Sequence, residues 1–255
     1  MQGVFYAFLG TLFTFGITAL GACNVFAVRK KTGHTMEALT LGFAGGVMVA
    51  ASIWSLLIPG MERAKELGQT SYLVMSAGFL AGVGLLLAAD RWIQKKSDGK
   101  KSKSTQMLVI AITAHNIPEG MAVGLAFALA AANPGNEELF SGAVALTIGI
   151  GIQNYPEGTA VALPLARDGS SKGRAFLAGS MSAIVEPVFG VLAALLAAHT
   201  LRLMPLLLAM AAGAMIYVVV QELIPEAHLD DEDKSGTLGF VVGFIIMMIL
   251  DIALG

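Results

Sequence analysis

Residues 111–120 read AITAHNIPEG and residues 153–158 read QNYPEG. One pattern, His or Gln followed by Asn, any residue, Pro, Glu and Gly, therefore occurs twice, at an offset of 38 from His115 to Gln153 and from Glu119 to Glu157. On a helix, positions i and i+4 share a face. His115 would project with Glu119 and Gln153 with Glu157, while Asn116 and Asn154 would lie about 100° round. Pro118 and Pro156 have no N–H, so the carbonyls of Ala114 and Ile152 lose their usual partners. The glycines that follow permit a kink and a close approach by a neighbouring helix. A further stretch, AIVEPVFG at 183–190, again sets a carboxylate, Glu186, beside a proline.

Such a cluster in low dielectric must be balanced by protons, basic side chains or metal ions. The three stretches lie in apolar runs without Lys or Arg at that depth, which makes metal the economical answer. Imidazole nitrogen, carboxylate oxygen and amide oxygen form a mixed set suited to Zn²⁺, Fe²⁺, Mn²⁺ or Cd²⁺, with zinc the best match. No thiolate favours Cu⁺, and the imidazole disfavours Mg²⁺ or Ca²⁺. The bland alternative is an interhelical hydrogen bond of structural value, but packing alone does not explain a duplicated motif with prolines at matching positions.

The elements that must carry these residues are membrane spans. Hydrophobic residues make up 56% of the 255, charged residues only 13%, and there are 30 glycines. A hydrocarbon core about 30 Å thick takes roughly 20 apolar residues of helix. Runs of that kind lie at 3–28, 38–60, 70–89, 104–136, 139–166, 175–200, 203–221 and 235–255, predicting an all-α bundle of eight transmembrane helices. Residues 1–255 then form a single transmembrane domain. The first run lacks a basic start and exceeds the 7–15 apolar residues of a secretory signal, so it reads as a span. At about 1.5 Å per residue, His115, Gln153 and Glu186 all approach the midplane of their runs.

The connections after odd-numbered spans, with Lys234, collect thirteen of the 16 Lys and Arg; Arg63, Lys65 and Arg202 fall on the other side. By the positive-inside rule the termini face outward or into the periplasm, as expected of a plasma or inner membrane protein. The lysine run QKKSDGKKSKS is an orientation signal and solvated loop, and nothing here points to nucleic acid. The lone Cys23 excludes an intrachain disulfide and reads as a packing residue of the first span. Spacings such as Gly42/Gly46, Gly78/Gly82 and Gly239/Gly243 let helices approach closely, within the bundle or in a homodimer. Glu66, Glu137 and Glu138 read as a solvated rim, and Asp90 as a partner of Arg91.

HNIPEG, QNYPEG and the Glu-Pro of the sixth span resemble the ZIP (Zrt/Irt-like protein) divalent-metal transporters. AGGVMVAASIWSLLIPG and AAGAMIYVVVQELIPEAH resemble its GufA-like branch. The resemblance implies helices arranged as three, two and three, with the first three related to the last three by inverted pseudo-symmetry. It implies a binuclear centre, in which His115, Glu119, Gln153 and Glu157 form the primary transport site. Asn116, Asn154 and Glu186 complete a second site bridged by Glu119 and Glu157. Many relatives carry Asp where this chain has Asn154, so its second site holds less negative charge. The resemblance also implies metal contacts for Asp251 near the outer surface and His228 near the inner one, with Glu222 and Glu226 beside it.

The expected function is inward movement of a divalent ion by alternating exposure of a midplane site, with the ion as cargo and no resident cofactor. No G-x-x-x-x-G-K-S/T motif is present, so ion gradients or the membrane potential would supply the energy. Two rivals stand beside it. An intramembrane zinc hydrolase would draw on several His ligands and a general base, as in H-E-x-x-H, against one intramembrane His here. A metal-free, proton-coupled carrier would show pH-driven flux with no metal requirement.

Overall fold

The computed structural model describes residues 2–27, 34–96, 105–167, 169–199, 201–227 and 234–254, and every regular element among them is helical. We number eight segments. They are α1 (Gln2–Ala22, resumed as Asn24–Ala27) and α2 (His34–Ala51, a π-helical stretch Ser52–Leu57, then Ile58–Glu66), followed by α3 (Ser71–Lys96), α4 (Thr105–Ala132) and α5 (Glu137–Arg167). Next come α6 (Lys172–Met181, a 3-10 turn Ser182–Ile184, then Val185–His199), α7 (Met204–Val218, a π-helical stretch Val219–Leu223, then Ile224–Glu226) and α8 (Ser235–Leu254). By length and composition six of these can cross a membrane. The remaining two, α4 and α5, are 28 and 31 residues long and are the pair that carries the polar motifs.

The side chains are distributed as a lipid solvent requires. Thr11, Thr14, Thr18, Asn116, Glu119, Gln153, Asn154 and Glu186 are buried, while Leu80, Leu238 and Ile252 stand outward. A helix pairs most of its own backbone groups, so in a bilayer the large apolar side chains can face lipid while these polar ones turn to the interior.

The main packing partners are α2 with α8, α3 with α7, α1 with α5, and α4 with α6. Exchanging α1, α2 and α3 with α6, α7 and α8, and α4 with α5, maps these pairs onto one another, a pairing that fits the expected pseudo-symmetry of the two halves. Glycines set the distances. A Cβ on Gly42 or Gly46 would collide with backbone of α8, at Gly236 and Phe240, and one on Gly239 or Gly243 with backbone of α2, at Leu39 and Phe43. Gly78 and Gly82 likewise meet the carbonyls of Leu206 and Met210 on α7. The small-residue spacings thus serve packing within the chain.

Two groups of helices result, α1, α4, α5 and α6 in one and α2, α3, α7 and α8 in the other. Each glycine whose added Cβ would strike backbone of another helix meets a helix of its own group. The groups meet where α4 packs on α7 and α5 on α2 and α8, and at the α5 contact Gly149 touches only side chains, those of Met247 and Val47.

Helix type changes at informative places. The π-helical stretches of α2 and α7 end two residues before Pro59 and Pro225, and the carbonyls that each proline leaves unpaired, those of Ser55 and Gln221, lie inside them. By contrast, α4 and α5 stay α-helical through Pro118 and Pro156. Cys23 departs from the packing role expected of it: it is exposed, at the break that ends the long part of α1. Gly21 packs on backbone of Tyr155, and a residue two positions further on points about 200° away.

Candidate metal centre

The motif glycines assemble the site. Immediately after the two motif glutamates, Gly120 abuts backbone of Glu186 on α6 and Gly158 abuts that of Thr18 on α1. A side chain at either position would push the partner helix away. Their absence brings α1 and α6 against the α4–α5 pair at the level of the carboxylates, and in the pseudo-symmetry α1 stands where α6 does. The 3-10 turn Ser182–Ile184 delivers Glu186 to this level.

Among the described side chains, the structure brings together Asn116, Glu119, Gln153, Asn154, Glu157 and Glu186. Asn116, Glu119, Gln153, Asn154 and Glu186 are each at most 1% exposed. Glu119, Glu157 and Glu186 stand close enough for their charges to repel, and Glu222 in the π-helical stretch of α7 adds its own at Glu157. Gln153 donates Nε2–H to Glu119 Oε1 at 2.5 Å. That bond turns its amide so that Oε1, the atom able to coordinate a cation, faces away from the donor side. Asn154 donates Nδ2–H to Glu186 Oε1 at 2.9 Å, and Thr14 of α1 donates its hydroxyl to Glu186 Oε2.

Glu119 Oε2, Gln153 Oε1, Asn154 Oδ1, Glu157 Oε1 and both amide atoms of Asn116 are buried and make no hydrogen bond. Asn116 lies close enough to Glu157 to interact electrostatically, yet without hydrogen-bond geometry. An unpaired buried polar atom costs about 1–3 kcal/mol. Several collected around carboxylates form a donor set matched to a cation. Among the described residues no three His, Cys, Asp or Glu side chains close around one point, so any ion held here draws on amide oxygens too. His115 lies on α4 one turn before Glu119; its side chain is outside those described.

At the end of the bundle holding the α2–α3 and α4–α5 connections, a cavity of about 300 Å³ is lined by Ser55, Glu62, Asn136, Glu138 and Asp251, among others. Asp251 is 7% exposed; its Oδ1 accepts from Ser55 at 2.6 Å and its Oδ2 has no hydrogen-bond partner. Glu138 belongs to this lining rather than to a bare rim, while Glu66 is exposed and paired with Arg63 at 2.8 Å. Asp90 accepts from the Tyr217 hydroxyl of α7 at 2.6 Å. His228 and residues 229–233 lie outside the described residues, as does the Glu226 side chain.

Three groups escape a reading of the sequence by motif. The first is Thr14, the second is Ser55, and the third is a separate network in which Tyr155 donates to Asn24 at 3.1 Å and Asn24 to Thr159 at 2.9 Å, tying α1 to α5. A signal for the first existed. Thr11, Thr14 and Thr18 follow helical spacing and form a buried polar stripe in an otherwise apolar helix.

A family model described as ZIP zinc transporter matches residues 93–251. The chain belongs to the ZIP family. This ZIP chain is 34% identical to the zinc transporter ZIP11 of Homo sapiens over 340 aligned residues, covering 100% of this chain and 98% of that protein. It is 36% identical to the zinc transporter ZIPB of Bordetella bronchiseptica, covering 98% and 82% of the two chains. With the zinc transporter GufA of Myxococcus xanthus it shares 35% identity over 93% and 94%. The ZIP fold and the GufA-like branch expected from its motifs are thus both supported.

Proposed function

We propose that this ZIP protein transports a divalent metal ion, zinc first among Zn²⁺, Cd²⁺, Fe²⁺ and Mn²⁺, across its membrane through the centre between α4 and α5. The observation that carries the reading is the group of buried, unpartnered oxygens on Glu119, Gln153, Asn154 and Glu157. His115, Glu119, Gln153 and Glu157 hold the ion, with Asn116, Asn154 and Glu186 adjoining. Carboxylate and amide donors with one imidazole bind zinc without thiolate, a set that permits release.

Asp251 with Ser55 receives the ion from the outer cavity. Glu222, whose charge reaches Glu157, passes it inward toward Glu226 and His228. Transport proceeds by alternating access. The glycine contacts make each helix group a rigid unit and leave side-chain contacts between the groups, which supports displacement of one against the other. The whole chain acts as one transport domain, with both termini outside and the basic loops in the cytoplasm, and its role is transport rather than hydrolysis.

Purified protein in liposomes, challenged with each metal across a range of pH gradients, tests this. Saturable protein-dependent zinc uptake is expected. Flux driven by pH without any metal requirement would overturn it in favour of a proton-coupled carrier.

A further inference from the structure

The Asn at position 154 has a consequence for the number of ions in the centre. Asn116, Glu119, Gln153, Asn154 and Glu157 each keep a buried oxygen free, but Glu186 does not. Its Oε1 takes Asn154 Nδ2–H at 2.9 Å and its Oε2 takes the Thr14 hydroxyl. Thr14 Oγ also lies 3.0 Å from the Thr11 carbonyl. Its single proton goes to the carboxylate, since a charged acceptor makes the stronger bond. The amide orientation at Asn154 follows from the same chemistry. An amide oxygen turned toward Glu186 would oppose a carboxylate, whereas the NH₂ satisfies it and leaves Oδ1 without a partner, as observed.

We infer that Glu186 in this chain is a crosslink between α1, α5 and α6 and not a metal ligand, that the centre binds one ion, and that Thr14 is a positioning residue for it. Rested on the transport reading above, the inference gives it a stoichiometry. A carboxylate at position 154 would have no donor to offer, and two facing carboxylates would need a second cation between them. The Asn amide supplies that positive end itself. Glu119 and Glu157 then neutralise a single divalent ion. Thr14, by holding Glu186, holds Asn154 and with it the rotation of α5 that presents Gln153 and Glu157. The buried threonines of α1 thereby acquire a role in transport without touching the ion.

Anomalous diffraction from zinc-loaded crystals counts the ions directly. In the unaltered chain one peak is expected, beside Glu119 and Glu157, with Glu186 still bound by Thr14 and Asn154. Asn154→Asp should add a second, between position 154 and Glu186, and should lower the maximal uptake rate in liposomes by about tenfold, since tighter holding slows release. Thr14→Val should lower uptake by about tenfold, the loss of one charged hydrogen bond, and Thr14→Ser should restore it. Two ions in the unaltered chain, with Glu186 on one of them, would overturn the inference. So would unchanged uptake in Thr14→Val or failure of Thr14→Ser to rescue. Those failures leave the transport reading intact, which falls instead if Glu119→Ala takes up zinc normally.

Discussion

A buried residue in this protein is read by whether its polar atoms have partners. Glu157 keeps an oxygen free beside the donors of α4, whereas both oxygens of Glu186 are engaged. Glu157→Gln should therefore reduce kcat/KM for zinc uptake by a hundredfold or more on the order-of-magnitude scale of a lost charged contact. Glu186→Gln should reduce it less. Equal and complete loss in initial-rate uptake assays would contradict this ranking. Asp251 has one oxygen anchored by Ser55 and the other without a hydrogen-bond partner, and in the proposed path it would guide the ion toward the centre. Asp251→Asn should raise KM roughly threefold to tenfold with little change in kcat, as for a lost electrostatic attraction; a fall in kcat alone would count against it. The duplicated motif made the central donors legible because polar groups in an apolar run have few other reasons to be there. Thr14 was legible only in part: its helical spacing with Thr11 and Thr18 is in the sequence, but threonine within a span ordinarily back-bonds to its own helix, and burial with the approach of Glu186 is what distinguishes it.

Helix placement followed from apolar length, and the pairing of α2 with α8 and α3 with α7 follows from glycines that the sequence displays at regular spacing. Their partners were not visible, because a small residue says that something comes close without saying what. The prolines behaved unequally. Pro118 and Pro156 sit beside Gly120 and Gly158, where neighbouring helices clamp α4 and α5, and the helix type holds. Ahead of Pro59 and Pro225 the turn opens into π-helix, and these stretches carry Ser55, which lines the cavity, and Glu222, whose charge reaches Glu157. The glycine account makes a contrast testable by thermal unfolding in detergent. A Cβ at Gly82 would strike backbone of α7, while Gly84, two residues along the same helix, has nothing within 4 Å. Gly82→Leu should destabilise by about 3 kcal/mol or more. Gly84→Ala should be neutral or stabilising by up to about 1 kcal/mol. Similar losses in both would remove the basis for the two rigid groups.

At the scale of the molecule, the chain combines a polar centre, a cavity at one end of the bundle and two helix groups whose mutual contacts, among the described residues, lack the glycine locks found inside each. A crosslink between the groups should stop transport, and one inside a group should not. Val47 and Gly149 face each other across the boundary, a Cβ on Gly149 lying 3.7 Å from a Val47 methyl, whereas Ala162 and Gly179 lie in one group, a Cβ on Gly179 lying 3.1 Å from that of Ala162. In a Cys23→Ser background, the cysteine pair at 47 and 149 should lose most uptake on oxidation and regain it on reduction, while the pair at 162 and 179 should keep it. Undiminished flux through the oxidised cross-group pair would exclude alternating access by displacement of these units. Neither grouping could be read from the sequence, since it depends on which of many small residues meets which backbone. The most direct test of the whole account is initial-rate zinc uptake into liposomes by His115→Ala and Glu119→Ala, each first checked to be monodisperse and inserted. Removal of either donor should abolish saturable uptake at low zinc; near-normal transport by both would mean that the ion does not pass through this centre.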